Sequence, residues 1–455
     1  MAPDQGRVPV IKRIVRGLAV VVLAIVAGIA FWLYFVPPEL LRVGSGYAAK
    51  IVCSNVFIAG RDPDQVLAQD VQAPGNPLLR LMRIKVDREE KRVDAALLGN
   101  IAPGKALYRD GVGCSVVPAG AGLVDAAPHV FTLSEPVDGL WPEGEKAQLD
   151  GSLAAVLSDG ALTGPGMRSV VVVSDGRIAA ETYGEGFSGE TPLLGWSMTK
   201  TVTAAIIGRQ IADGRLSLDD NHLFPAWRND DRRGIRIADL LAMESGLAFN
   251  ENYGAVADVT RMLFLEPDMA RFVESLPLEA AIGSLFRYSS GTPVLLSKIW
   301  MERAGGGVDA LDYPRKSLFD PLGMRSAVIE ADASGTYVGS SYMYATARDW
   351  ARFGLFLADD GVWNEERLLP AGFVQLMQEE NRSSGGRYSR MQTWLPKPDA
   401  GLPRDTFILS GHDGQNIFVI PSMKLVIVRF GLTPSAMGYQ ATPLVSAIVR
   451  QVRGG

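Results

Sequence analysis

Ser197 and Lys200 are the residues in this chain best placed to do covalent chemistry. They stand three residues apart in GWSMTKTVTAAIIGRQIADG (195–214), ahead of the mostly apolar run Val202–Ile207 and a Gly214 suited to ending a helix. On a helix that spacing places both on one face, with Cβ atoms about 5–6 Å apart. A serine hydroxyl is a weak nucleophile until a neighbour takes its proton, and a partly desolvated lysine can do so. The free N–H groups of a helix N-terminus would face the negative charge that develops. A second element is Phe286-Arg287-Tyr288-Ser289-Ser290-Gly291, where a loop before a helix from about Thr292 could bring the Tyr288 phenol over the pair. A phenol titrates near 10, so it must be lowered to serve as a base, and an adjacent ammonium would lower it. The third element, Gly411-His412-Asp413-Gly414-Gln415, runs into a strand predicted at Asn416–Ile420. Gly414 would let a substrate approach the backbone, and the N–H of Gln415 could join that of Ser197 in an oxyanion hole. Taken singly, each has a plain alternative: a solvated N-cap serine, a packed tyrosine, an ordinary turn.

The elements that must position these groups follow from pattern. Ser169–Ser174 and Arg177–Tyr183 alternate as two strands joined through Ser174-Asp175-Gly176, a hairpin signal. Helical periodicity then dominates to about residue 380. Strands return at Asn416–Ile420 and Leu425–Phe430, and an amphipathic helix is predicted from about Gly438 to Val452. Strands at both ends of a region with helices between suggest one antiparallel sheet completed by both ends and covered by helices. Further upstream, residues 39–140 read as a small mixed module. It has a helix start at Asp62-Pro63 and a hairpin from Met82, Ile84 and Val86 to Val93, Ala95 and Leu97. A Pro/Gly-rich stretch at Ser134–Gly144 reads as a linker to a second region, 145–455.

The N-terminus predicts a membrane anchor. Gly17–Val36 carries no charge over about twenty residues, the length that crosses a bilayer core. Arg7, Lys12, Arg13 and Arg16 precede it, which places residues 1–16 in the cytoplasm and everything after residue 37 on the periplasmic or extracellular side of the inner membrane. A cleaved signal peptide is the alternative, with a shorter apolar core than this. An oxidising compartment would let Cys53 and Cys114 form a disulfide, against the alternative of two buried thiols.

Composition removes several function classes. The 455 residues carry 45 Lys+Arg against 50 Asp+Glu, a net charge of −5, so the basic footprint of a nucleic-acid binder is missing. Two Cys and three His (His129, His222, His412) in no ligand spacing argue against a metal site. Gly184-Glu185-Gly186-Phe187-Ser188-Gly189 matches G-x-G-x-x-G, but it follows a hairpin and opens no helix, so no dinucleotide cofactor is expected. No G-x-S-x-G elbow occurs.

The ordered set of Ser-x-x-Lys, Tyr-Ser-x roughly ninety residues on and His-x-Gly before a C-terminal strand resembles the penicillin-recognising serine hydrolases. Within them it is most similar to the class C β-lactamase-like branch of D-Ala-D-Ala carboxypeptidases, esterases and 6-aminohexanoate-dimer hydrolases. IRIADLLAMESGL (235–247) and YATARDWARFGLFLADDGVW (344–363) carry the same resemblance. It implies an α/β (α+β) fold over about 150–450, an α/β/α sandwich with an antiparallel sheet and a helical subdomain at about 215–380. It also implies an acyl-enzyme without metal or cofactor, with Ser197 as nucleophile and Lys200 and Tyr288 sharing the base role. Ser290 and His412 would then bind substrate, where the pattern has Asn and Lys. A hydroxyl for an amide, and an imidazole mostly neutral near pH 7 for a permanent cation, predict a small ester or amide substrate and slow turnover of β-lactams. Two readings stay open beside that of a membrane-anchored esterase or amidase. One is a D-Ala-D-Ala carboxypeptidase or β-lactamase, and the other is a binding protein on a hydrolase scaffold.

Overall fold

The computed structural model describes residues 7–73, 75–124, 131 and 137–454. His129 and the first part of the predicted linker, 134–136, lie outside the described residues.

Helix α1 spans Arg7–Phe35. The sequence expectation of a bilayer-crossing segment does not hold: among the described residues no helix is long and apolar enough to cross a membrane. Counting charge-free length from Gly17 isolated the apolar part of a longer helix whose early turns carry Lys12, Arg13 and Arg16. The single-pass anchor, the membrane partner, and the inner-membrane, periplasmic placement all rested on that count and are corrected with it.

The next unit is built on α2 (Glu39–Phe57), which lies against an antiparallel meander of β1 (Met82–Asp87), β2 (Arg92–Leu97), β3 (Ile101–Arg109) and β4 (Gly113–Val116). Asp62 caps the short helix at Pro63–Val66 by accepting from the N–H of Gln65 at 2.9 Å. Nearly the whole circumference of α2 is buried, because the meander covers one side and region 145–455 the other. A disulfide joins Cys53 on α2 to Cys114 on β4, with a Cα separation of 6.1 Å.

The main sheet takes β5 (Met167–Ser174) and β6 (Arg177–Tyr183) from near the start of region 145–455. Three strands come from near its end: β10 (Phe407–Gly411), β11 (Gln415–Ile420) and β12 (Leu425–Gly431). The order is β10-β11-β12-β5-β6 and every pairing is antiparallel, with Val426 opposite Val173 and Val428 opposite Val171. Successive side chains in a strand point to opposite faces. Val171, Val173, Ile417, Val419, Val426 and Val428 therefore join the core that includes α3 (Thr199–Ala212) and α5 (Ala347–Ala358), while Val170, Val172, Phe418, Ile420 and Ile427 join that of α6 (Thr442–Gly454). Burial on both faces explains why Val170–Val173 reads as an unbroken apolar run. The result is an α/β/α sandwich, with a helical subdomain containing α4 (Gly291–Arg303) between the two halves of the sheet. The last helix starts at Thr442 rather than near Gly438, because Gly438 takes a left-handed φ of 71° that ends the preceding turn.

A small sheet connects these parts to the chemistry. β7 (Leu193–Leu194) pairs with β9 (Met343–Ala345), which pairs with β8 (Val328–Ile329). β7 runs directly into Gly195-Trp196-Ser197. The glycine-rich 184–189 segment precedes β7 as a turn and opens no helix.

Candidate active site

Ser197 sits in a single 3₁₀ turn, Trp196–Met198, that feeds α3, so the hydroxyl projects from a helix entry. Trp196 has φ = +47°, a conformation costly for a bulky side chain and held here by packing. Close backbone approach on both sides supplies that packing. A Cβ on Gly195 would lie 2.3 Å from the Trp350 ring, and one on Gly411 would lie 2.3 Å from the Gly195 carbonyl. The hairpin end of β10 is thereby pressed against the turn that carries Ser197.

Lys200, one turn into α3, is 1% exposed. Its ammonium donates to the Ser197 hydroxyl at 3.0 Å, to the Ser290 hydroxyl at 3.0 Å and to the Ser340 carbonyl at 3.1 Å, so all three protons are used. Burial brings the amine down to about 8, with Glu251 pulling the other way. The Tyr288 ring lies 4.9 Å from Lys200 Nζ, within an aromatic group formed with Tyr388 and Trp394. Tyr288 does not show the lowering that an ammonium neighbour would give. Burial and then Glu251 push it up, against weaker opposing hydrogen bonds with Ser197 and Trp394. It is held as a phenol.

Ser290, at the start of α4, is fully buried. Its hydroxyl accepts from Lys200 and donates to Glu251 Oε1 at 2.5 Å, while its N–H donates to Glu251 Oε2 at 2.7 Å. Glu251 thus reaches the lysine through one hydroxyl. Tyr253, two residues on, is pushed up by burial and then Glu251, and hydrogen bonds with Ser290 and Ser341 act against this. Its ring stacks on His412 at 5.0 Å. His412 also meets Trp196 edge-on at 5.6 Å, and its Nε2 lies 3.3 Å from Asp413 Oδ1.

Ser197, Lys200, Tyr288, Ser290 and His412 therefore converge. At Gly414 and Gln415, expected to act through their backbone, the side-chain positions are taken up by other contacts. A Cβ on Gly414 would lie 2.6 Å from Arg429 Nη1, and the Gln415 side chain donates to the carbonyls of His412 and Gly431 at 2.9 and 2.6 Å. The glycine that closes on the nucleophile turn is Gly411. The sequence did not mark Glu251 and Tyr253, since an Asn/Glu/Tyr-rich loop gives no side-chain direction. It also missed the Ser340 carbonyl, which no pattern marks.

A family model described as Beta-lactamase matches residues 160–433, more than half of the chain. The 6-aminohexanoate-dimer hydrolase of Paenarthrobacter ureafaciens is 25% identical over 290 residues, covering 58% of this chain and 72% of that one. A Bacillus anthracis protein provisionally named a 6-aminohexanoate-dimer hydrolase superposes with a TM-score of 0.56 at 22% identity, covering 66% of this chain and 82% of its own. EstCE1, a hydrolase with promiscuous acyltransferase activity, gives 0.52 at 17% identity over 67% and 96% of the two chains. These two structural likenesses concern the fold.

Proposed function

Because the chain belongs to the beta-lactamase family, as a β-lactamase-related serine hydrolase, we propose that Ser197 is its acylated nucleophile and a small ester or amide its substrate. The observation that carries this is Lys200 Nζ at 3.0 Å from the Ser197 oxygen, in a pocket that brings the amine down to about 8. As the neutral amine, Lys200 accepts the hydroxyl proton while Ser197 Oγ attacks the carbonyl carbon. The oxyanion meets the backbone N–H groups of Ser197 and Gln415. Tyr288, kept protonated, passes its proton to the leaving oxygen or nitrogen as that bond breaks, and Lys200 returns a proton to it. Water then attacks the acyl-Ser197 ester with Lys200 again as base, releasing the acid.

The substrate class is supported by the Ser290 and His412 environment and by the names of the relatives above. Ser290 spends its hydroxyl on Lys200 and Glu251, so it offers a substrate carbonyl less than an amide would. His412 stacks on Tyr253 and meets Trp196 edge-on, where the resembling pattern has a lysine. The experiment is a rate panel of p-nitrophenyl acetate, short linear amides, D-alanyl peptides and a chromogenic cephalosporin, with fluorophosphonate labelling of the same protein. Ester or amide turnover should exceed cephalosporin turnover, and Ser197→Ala should lose both turnover and label. Labelling that survives in Ser197→Ala refutes the nucleophile, and faster cephalosporin hydrolysis refutes the substrate class.

A further inference from the structure

Lys200 rests on a segment that also meets side chains from outside the 145–455 region. Residues 339–345 hold the site from below. The Gly339 carbonyl accepts from Thr203 at 2.7 Å and the Ser340 carbonyl from Lys200 at 3.1 Å, both on α3, and the Met343 carbonyl accepts from the N–H of Gly195 at 2.9 Å. Glu330 is woven into the same segment: its N–H donates to the Tyr342 carbonyl at 2.8 Å, and its carbonyl accepts from Val338 at 2.9 Å.

The Glu330 carboxylate is turned toward the 39–117 module. Tyr47, Lys50, Ile51, Ser54 and Asn55 recur at helical spacing, so they form one face of α2. From that face Lys50 Nζ donates to one Glu330 oxygen, and Ser54 Oγ donates to the other at 2.8 Å. The N–H of Cys114 on β4, beside the disulfide, donates to that second oxygen at 2.8 Å. Lys50 also lies 4.0 Å over the Tyr342 ring, and Asn55 donates to the Tyr344 hydroxyl at 3.3 Å. Lys50 and Glu330 are 2% and 0% exposed, so each charge depends on the other for its stability out of water.

We propose that residues 39–117 are a working part of the hydrolase site, with Lys50 and Glu330 as positioning residues. The pair fixes segment 339–345, and the Ser340 carbonyl of that segment holds Lys200 against Ser197. The module thereby acts on the chemistry without touching substrate, and the family match, which begins at residue 160, does not include it. The proposal rests on the acyl-enzyme reading.

The test uses the full chain with two changes of different severity. Lys50→Met/Glu330→Gln removes both charges at nearly constant volume, which leaves no unpaired buried ion. Ser54→Ala removes one donor to Glu330. For each, kcat and KM on p-nitrophenyl acetate are measured beside the rate of fluorophosphonate labelling of Ser197, with circular dichroism and a thermal melt to score folding. The double variant should remain folded and lose about tenfold or more in kcat with KM changed by less than about twofold, and labelling should slow in step. Ser54→Ala should show the same pattern at roughly two- to threefold. Folded variants with the parent kcat and labelling rate would overturn the proposal and leave the acyl-enzyme reading in place. An unmodified chain labelled no better than Ser197→Ala would remove that reading and this proposal together.

Discussion

Lys50 and Lys200 both stand on helices against the 339–345 segment, each with its ammonium out of water. Burial lowers both amines from their ordinary value. At Lys50 a carboxylate in direct contact, Glu330, acts against that lowering, and the pair works as an anchor between two parts of the chain. At Lys200 the contacts are two hydroxyls and a carbonyl, and the nearest carboxylate, Glu251, acts through Ser290. Hydroxyls can give or take a proton and so tolerate either charge state of the amine, whereas a contacting carboxylate favours only the ammonium. Whether a buried lysine is structural or reactive is thus decided by how near the counter-charge lies, not by the depth of burial.

The largest test of this contrast is Lys200→Met, which should lower kcat/KM on p-nitrophenyl acetate by about 10²–10⁴-fold while the chain unfolds at the same or a higher temperature, since a desolvated amine without a contacting counter-ion is removed. A variant that keeps activity within a few fold would break the contrast. Lys50→Met should act first on stability, with kcat falling beside it as in the double variant. The unpaired Glu330 carboxylate should cost about 3–5 kcal/mol in urea unfolding, and an unchanged midpoint would show that the pair is not the anchor described. The smallest effect is in pH dependence. The base form of Lys200 grows as pH rises through about 8, so kcat/KM should rise over that range. Glu251 opposes the lowering of Lys200, so Glu251→Gln should shift the rising limb to lower pH. A shift to higher pH would mean that the carboxylate acts on some other group.

Local elements of the fold were readable because their signals are local. The 169–183 hairpin, the 82–97 hairpin, the Asp62 cap and the buried helix after Ser197 each follow from residues within one or two turns of each other. Ser197 and Lys200 share a face through helical spacing alone. The same kind of counting failed at Gly17–Val36, where charge-free length was taken for a span although the helix begins at Arg7. It also missed Gly411, because a three-residue pattern around His412 looks the same whichever glycine the fold presses onto Gly195.

The sequence alone established which groups could react, Ser197, Lys200 and Tyr288, and the strands and helices that carry them, since side-chain chemistry and short-range periodicity are properties of neighbouring residues. Tertiary structure decided the state in which those groups are held. Glu251 reaches Lys200 across the Ser290 hydroxyl, Tyr288 is kept as a phenol, and the segment under Lys200 is fastened by Glu330 to Lys50, 280 positions away in the chain. Proton affinities and alignment depend on what lies within a few ångströms, and only packing brings residues so distant in sequence to that separation.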